Sequence, residues 1–175
     1  MGAMWQVRET EVGDGVVDAI VDPDGVTMFT VGTDGTPARV WAGNRPESVR
    51  DAAHAIWDFL SADALVTLDM QDLMAVADGK EMRLVEESAS GPGRAGRIGD
   101  ALAASVASLA AGGHVAQNAL VSLTGPDDLS MTEAHRIVGS LRGALPGIGV
   151  VIWGLDLVDD PSLPVTATAL LAGER

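Results

Sequence analysis

The chain has no cysteine, no tyrosine, one lysine and no apolar run of bilayer-spanning length. Without thiols it can form neither a disulfide framework nor a thiolate metal centre. Without a long apolar span, or a basic segment leading into an apolar one at its start, it reads as soluble, intracellular and cytoplasmic. Basic residues are scarce: Lys80 and ten arginines stand against 25 aspartates and glutamates, for a formal net charge of −14. That charge repels phosphate backbones and anionic lipid, which argues against nucleic-acid and membrane partners. Aspartate outnumbers glutamate. Short hydrated carboxylates with few lysine stems are the bias expected of a salt-adapted protein, here of a halophilic archaeon.

The usual signatures of chemistry are missing too. There is no G-x-x-x-x-G-K-[ST] phosphate loop, no H-E-x-x-H and no G-x-S-x-G elbow for Ser105 or Ser108, and His54, His114 and His135 stand far apart. Gly91, Gly93 and Gly96 have dinucleotide-loop spacing, but Pro92 interrupts them, Arg94 and Arg97 surround them, and no acidic residue ends a second parallel strand. Asp22, Asp24 and Asp34 fit the corners of hairpins better than a metal site. No cofactor, metal or nucleotide is expected.

What is present reads as a single α+β domain over 1–175, a mixed sheet packed by helices. Residues 1–80 combine a β-meander with a helix-strand segment. WQVRETEV, VVDAIV, VTMFTV and ARVWA are separated by Gly-Asp turns. Asn44 and Pro46 then open a helix bearing Ile56 and Trp57 on its apolar face, followed by ALVTL as a short buried strand and by MQDLMAVAD as one or two helical turns. Residues 81–175 read as strand, helix, strand, helix, strand, strand. Trp57 and Trp153 are expected in the core, and Trp5 or Trp41 near the sheet ends as partner anchors.

In LVSLTGPDDLSMTE a strand runs into an acidic turn and then a helix. Ser130 with Glu133 three residues on forms a capping box, and Asp127 and Asp128 suit the positive end of the helix dipole. The same charge rejects a phosphate, and the oxygen spacing does not fit a calcium loop. The turn is a connection or a contact surface.

The stretch from NALVSLTGPDDL to VTATALLAG resembles the C-terminal domain of the tubulin/FtsZ family. It keeps that domain's order: a strand ending in a Thr-Gly turn at Thr124-Gly125, Asp128-Leu129, Glu133 on the helix, the strand through Trp153-Gly154, the acidic turn Asp159-Asp160, and the last strand from Val165 to Gly173. RAGRIGDALAASVASL is similar to the family helix preceding them, and RPESVRDAAHAIWDFLSADALVTLDMQDLMAVAD more weakly to the helix and strand ending its GTPase domain. The Gly-rich phosphate loop, the long central helix and an Asn-x-Asp catalytic sequence are absent. The resemblance therefore implies a non-catalytic relative, without GTPase activity, that acts through protein association in cytoskeletal or cell-division assemblies, with itself or with a polymer-forming homologue. It makes Thr124, Gly125, Asp127, Asp128, Leu129 and Glu133 the partner-contact candidates, with the acidic helix start seeking basic groups on the partner. It also implies that the meander covers sheet surface left bare by the missing central helix. The alternatives are a small-molecule binding protein or enzyme with a site at a subunit interface, and a structural module without polymer contact.

Carboxylate self-repulsion at this net charge is screened within about 3 Å at 1 M ionic strength. Thermal melts in rising KCl are expected to show a rising midpoint; a flat or falling one would remove the salt-adapted reading.

Overall fold

The computed structural model describes residues 5–12, 15–22, 25–31, 38–41, 65–77, 80–147 and 149–174. The meander forms as the turn spacing dictates. β1 (Trp5–Val12), β2 (Gly15–Asp22), β3 (Gly25–Val31) and β4 (Ala38–Trp41) pair antiparallel in sequence, the first two hairpins closing at Val12↔Gly15 and Asp22↔Gly25. The helix expected from Asn44, with Trp57, lies outside the described residues.

β4 then pairs in parallel with β5 (Glu81–Ala89), and a single eight-stranded sheet results in the order β1-β2-β3-β4-β5-β8-β6-β7. The meander thus extends the sheet sideways; it does not lie over a face as expected. A strand with open backbone groups at its edge is satisfied more directly by pairing than by stacking.

Beyond β5 the expected order appears: α2 (Arg94–Ala111), β6 (Val115–Pro126), α3 (Met131–Ala144), β7 (Val151–Val158) and β8 (Val165–Glu174), with the short α1 (Met70–Ala77) before β5. Two local expectations fail. Among its described residues, 65–68, ALVTL is not a buried strand: Val66 makes an isolated bridge to Leu155, and Leu65 is 65% exposed. The chain turns into the cap of α1 at Asp69, which leaves too few residues for a ladder. Thr124-Gly125 is not a turn either. β6 is flanked by β7 and β8, and pairing with β7 continues through Gly125↔Leu157 and Pro126↔Val158.

Both faces of the sheet carry apolar residues. On one, Ile98, Leu102 and Val106 of α2 and Ile137, Val138 and Leu141 of α3 close over Val121, Leu123, Leu155, Ala167, Ala169 and Leu171. The alanines of β8 leave room for two helices side by side. Trp153, expected in the core, is half-buried at the margin of this face, edge-on to His135 with ring centroids 5.5 Å apart. On the other face Met82, Leu120, Leu170 and Ala172 are buried, as are Leu68, Leu73 and Val76 from the α1 segment. Asn118 ties the two parts by donating to the Val76 carbonyl at 3.2 Å. Each large side chain so buried stabilises by about 1.5–3 kcal/mol. Among the described residues no helix is long and apolar enough to cross a membrane.

α2 and α3 pack tightly at Gly99, where a Cβ would stand 2.6 Å from Ser140 Oγ and 2.8 Å from Ser140 Cβ. Gly99→Leu is expected to cost about 1–3 kcal/mol in a denaturant melt by forcing the helices apart. The exchange Gly99→Ala with Ser140→Gly moves the small residue to the other helix and should return near wild-type stability.

Candidate functional site

Strand direction gathers three connections at one end of the sheet. β5, β6 and β7 end there, β8 begins there, and α2 and α3 both start there. The segments at this end are 89–94, 126–131 and 158–165.

The middle segment is built by its own sequence. Leu129 N–H donates to the Pro126 carbonyl at 2.9 Å, closing the turn, and Leu129 is buried. Gly125 makes that possible: a Cβ there would stand 3.0 Å from Leu129 and 3.1 Å from Val165. Ser130 then caps α3 as expected. Its hydroxyl accepts from the Glu133 amide at 3.2 Å, and its own amide donates to Glu133 Oε2 at 3.0 Å.

Arg94, the first residue of α2, crosses to this cap. Its Nε donates to Glu133 Oε1 at 2.8 Å, and its Nη2 to Asp128 Oδ1 at 2.9 Å and Glu133 Oε2 at 3.2 Å. The Arg94 side chain is 12% exposed, that of Glu133 29% and that of Asp128 76%. The guanidinium, helped by the Ser130 amide and hydroxyl against the opposing effect of burial, pulls the Glu133 carboxyl down to about 2, and the carboxylates raise Arg94 above its ordinary range. Arg97 fastens the loop before α2 by donating to the Pro92 and Ser90 carbonyls, while Gly91 and Gly93 take the left-handed φ of 75° that the turn requires. In the third segment Asp160 is held in a local turn by the Ser162 amide and hydroxyl at 2.9 and 2.6 Å, which lower its carboxyl below the usual range.

These contacts sort the six candidates. Gly125 and Leu129 are inside, Thr124 is half-buried, and Glu133 is engaged by Arg94 and Ser130. Asp127 and Asp128 face solvent, with Met131 beside them at 44% exposure. The acidic helix start was expected to seek a partner's basic groups, yet its own chain already supplies Arg94. A cation at the first position of a helix opposes the dipole, and that was the available signal that Arg94 needed a carboxylate. The end can accept hydrogen bonds from basic groups. Among the described residues no three or more His, Asp or Glu are placed to hold a metal ion.

Glu133 has a depressed folded-state pKa, so its contribution is full above the unfolded value of 4.5 and is lost as pH falls toward about 2. Glu133→Gln keeps the capping geometry and removes the charge. It is expected to cost about 1–2 kcal/mol at neutral pH and to flatten the decline of stability between those two pH values, read by chemical denaturation across the range.

No family model matches the chain. In sequence it is 28% identical over 126 residues to the cell division protein FtsZ of Methanothermobacter thermautotrophicus, covering 71% of this chain and 32% of that one. It is 24% identical over 125 residues to FtsZ 1 of Methanocaldococcus jannaschii, covering 71% and 34%. The chain thus spans about a third of the length of the curated relatives it matches. Among solved structures, the empty M. jannaschii FtsZ dimer superposes with a TM-score of 0.56 at 21% identity, covering 73% of this chain and 37% of that one. TubZ of Bacillus thuringiensis in GDP-form protofilaments gives 0.53 at 14%, covering 73% and 36%. CetZ2 of Haloferax volcanii, in a GTPγS-bound protofilament, gives 0.51 at 17%, covering 74% and 40%. Sequence and fold together support a likeness to the tubulin/FtsZ family over a partial domain of it.

Proposed function

We propose that this member of a cytoskeletal family is non-catalytic and works by association, with a second copy of itself or with a polymer-forming homologue, through the acidic end of the sheet. The observation that carries the reading is the exposure of Asp127, Asp128 and Met131 on a helix start that Arg94 and the capping box hold rigid. A preorganised surface loses little freedom on binding. Its relatives support the same direction, since TubZ and CetZ2 were solved as protofilaments and one FtsZ as a dimer. Two exposed carboxylates beside an apolar methionine suit a partner patch with basic groups around an apolar centre, giving orientation and rate more than affinity.

The non-catalytic part of this reading is supported by the given sequence, which carries no Gly-rich phosphate loop and no P-loop lysine to hold a triphosphate. A second reading rests on the start of α1. Asp69 and Asp72 cap that helix reciprocally, at 2.9 and 3.0 Å, and Thr67-Leu68-Asp69 stands one substitution from the Asn-x-Asp pattern. On this reading the chain offers a carboxylate to a nucleotide held by its partner. Asp69→Asn keeps the cap; a fall in GTP turnover by a mixture with an FtsZ-type homologue, on that change alone, would favour it.

Asp127→Lys spares both carboxylates that Arg94 holds, Asp128 and Glu133, and is expected to weaken a measured complex by about 1 kcal/mol with the melting midpoint nearly unchanged. Normal association by this variant, with binding abolished by changes in the meander, would move the contact surface to the other half. The isolated chain is expected not to bind a fluorescent guanine nucleotide; saturable binding at micromolar concentration would overturn the non-catalytic reading.

A further inference from the structure

The opposite end of the sheet, where β5, β6 and β7 begin and β8 ends, carries two cations, Lys80 and Arg142, in addition to the terminal Glu81 and Glu174 of β5 and β8. Lys80 directly precedes β5, and its Nζ donates to Gln117 Oε1 at 3.1 Å. No carboxylate among the described residues lies within ion-pair distance of it. In a chain with 25 acidic and 11 basic residues, the only lysine is matched to a neutral amide. Among the described residues, one of its three ammonium donors is engaged.

The surroundings of Lys80 are fixed. The register of β6 against β8 shifts between Ala116 and Asn118, so Gln117 is the extra residue of a bulge, the device by which strands re-aim a side chain. Asn118 is pinned at both ends, donating to the Val76 carbonyl at 3.2 Å and accepting from the Val150 amide at 3.0 Å. Gly149 lies so close to β6 that a Cβ would stand 1.5 Å from the Gln117 carbonyl oxygen. These residues, with Pro146, wall an open pocket of about 340 Å³. An adjoining hollow of about 450 Å³ shares Gly149 and carries Arg142, which donates to the Val151 carbonyl at 3.4 Å and also has no carboxylate partner among the described residues. Balance of the α3 dipole accounts for Arg142 in the last turn of its helix. It does not account for an ammonium set beside a bulge glutamine in a pocket of its own.

We propose that this double pocket binds a small anion carrying a carboxylate or phosphate group, with Lys80 as its anchor and Arg142 as the second cation. The volumes suit a small ligand. The acidic end is no obstacle: it stands roughly 35 Å away along β6, several screening lengths at physiological salt.

The test is an NMR titration of the full chain with inorganic phosphate and, separately, malonate, at constant ionic strength set by chloride. Saturable shifts of the Gln117 and Asn118 side-chain amide signals are expected with at least one probe, about tenfold weaker in Lys80→Met, which keeps the apolar stem, and weaker by a smaller factor in Arg142→Gln. The probe that saturates assigns the anion class. Absence of saturable shifts with both probes at millimolar concentration, or shifts of equal affinity in Lys80→Met, would overturn the site. If Lys80→Met fails to fold, Arg142→Gln carries the same comparison.

Discussion

The bond between Arg94 and Glu133 decides how the helical layer sits on the sheet. α2 and α3 both start at the carboxyl end of the strands, so their dipoles run side by side and their positive ends meet. Placing an arginine at the head of one of them would add to that repulsion if Glu133 did not face it at 2.8 Å. The pair turns an unfavourable meeting of helix ends into a joint. Farther along, Gly99 and Ser140 bring the two backbones together, and between these points the leucines and isoleucines of both helices close over the alanines of β8. A charged joint at 12% and 29% side-chain exposure holds register better than a solvated pair, since little water competes for it.

The same joint sorts the charge of the molecule. By engaging Glu133 and one oxygen of Asp128, Arg94 leaves Asp127 and the outer part of Asp128 as the accessible negative charge of that turn. At the other end, among the described residues, Lys80 and Arg142 bond to an amide and a carbonyl and to no carboxylate. A chain with net charge −14 therefore has an end where a cation is welcome and an end where an anion is, separated by the length of the sheet.

Local signals were legible in the sequence, and long-range ones were not. The α3 cap needs only Ser130 and Glu133, three residues apart, and the meander needs only Gly-Asp corners and alternation, so both could be read directly. The strand-helix order from Glu81 onward follows from periodicity in the same way. Thr124-Gly125 looked like a turn because its composition is that of one; two neighbouring strands override it. Arg94 and Glu133 are 39 positions apart, and Lys80 and Gln117 are 37. No window in the sequence joins them. For the candidate site this meant that the acidic turn was found, while the residue that holds it, and the burial of Gly125 and Leu129, were not.

The second face of the sheet explains how the fold tolerates having the meander at the sheet edge rather than over that face. The rows of this face change character along the strands. Leu84, Leu170, Leu120 and Ile152 stand in register, with Met82 and Ala172 in the row above; Leu73 and Val76 of α1 are buried at that end. The next two rows are Glu86, Thr168, Ser122 and Gly154, then Ser88, Thr166, Thr124 and Asp156. Here the side chains satisfy one another across strands, Thr168 donating to Glu86 at 3.2 Å and Ser88 meeting Thr166 at 2.8 Å, and the outer members Glu86 and Ser88 are exposed. Hydroxyls on a pleated surface pair across strands and still tolerate water. Among the described residues, the large buried apolar side chains of this face thus lie in the rows toward α1, and the rows beyond are polar or small.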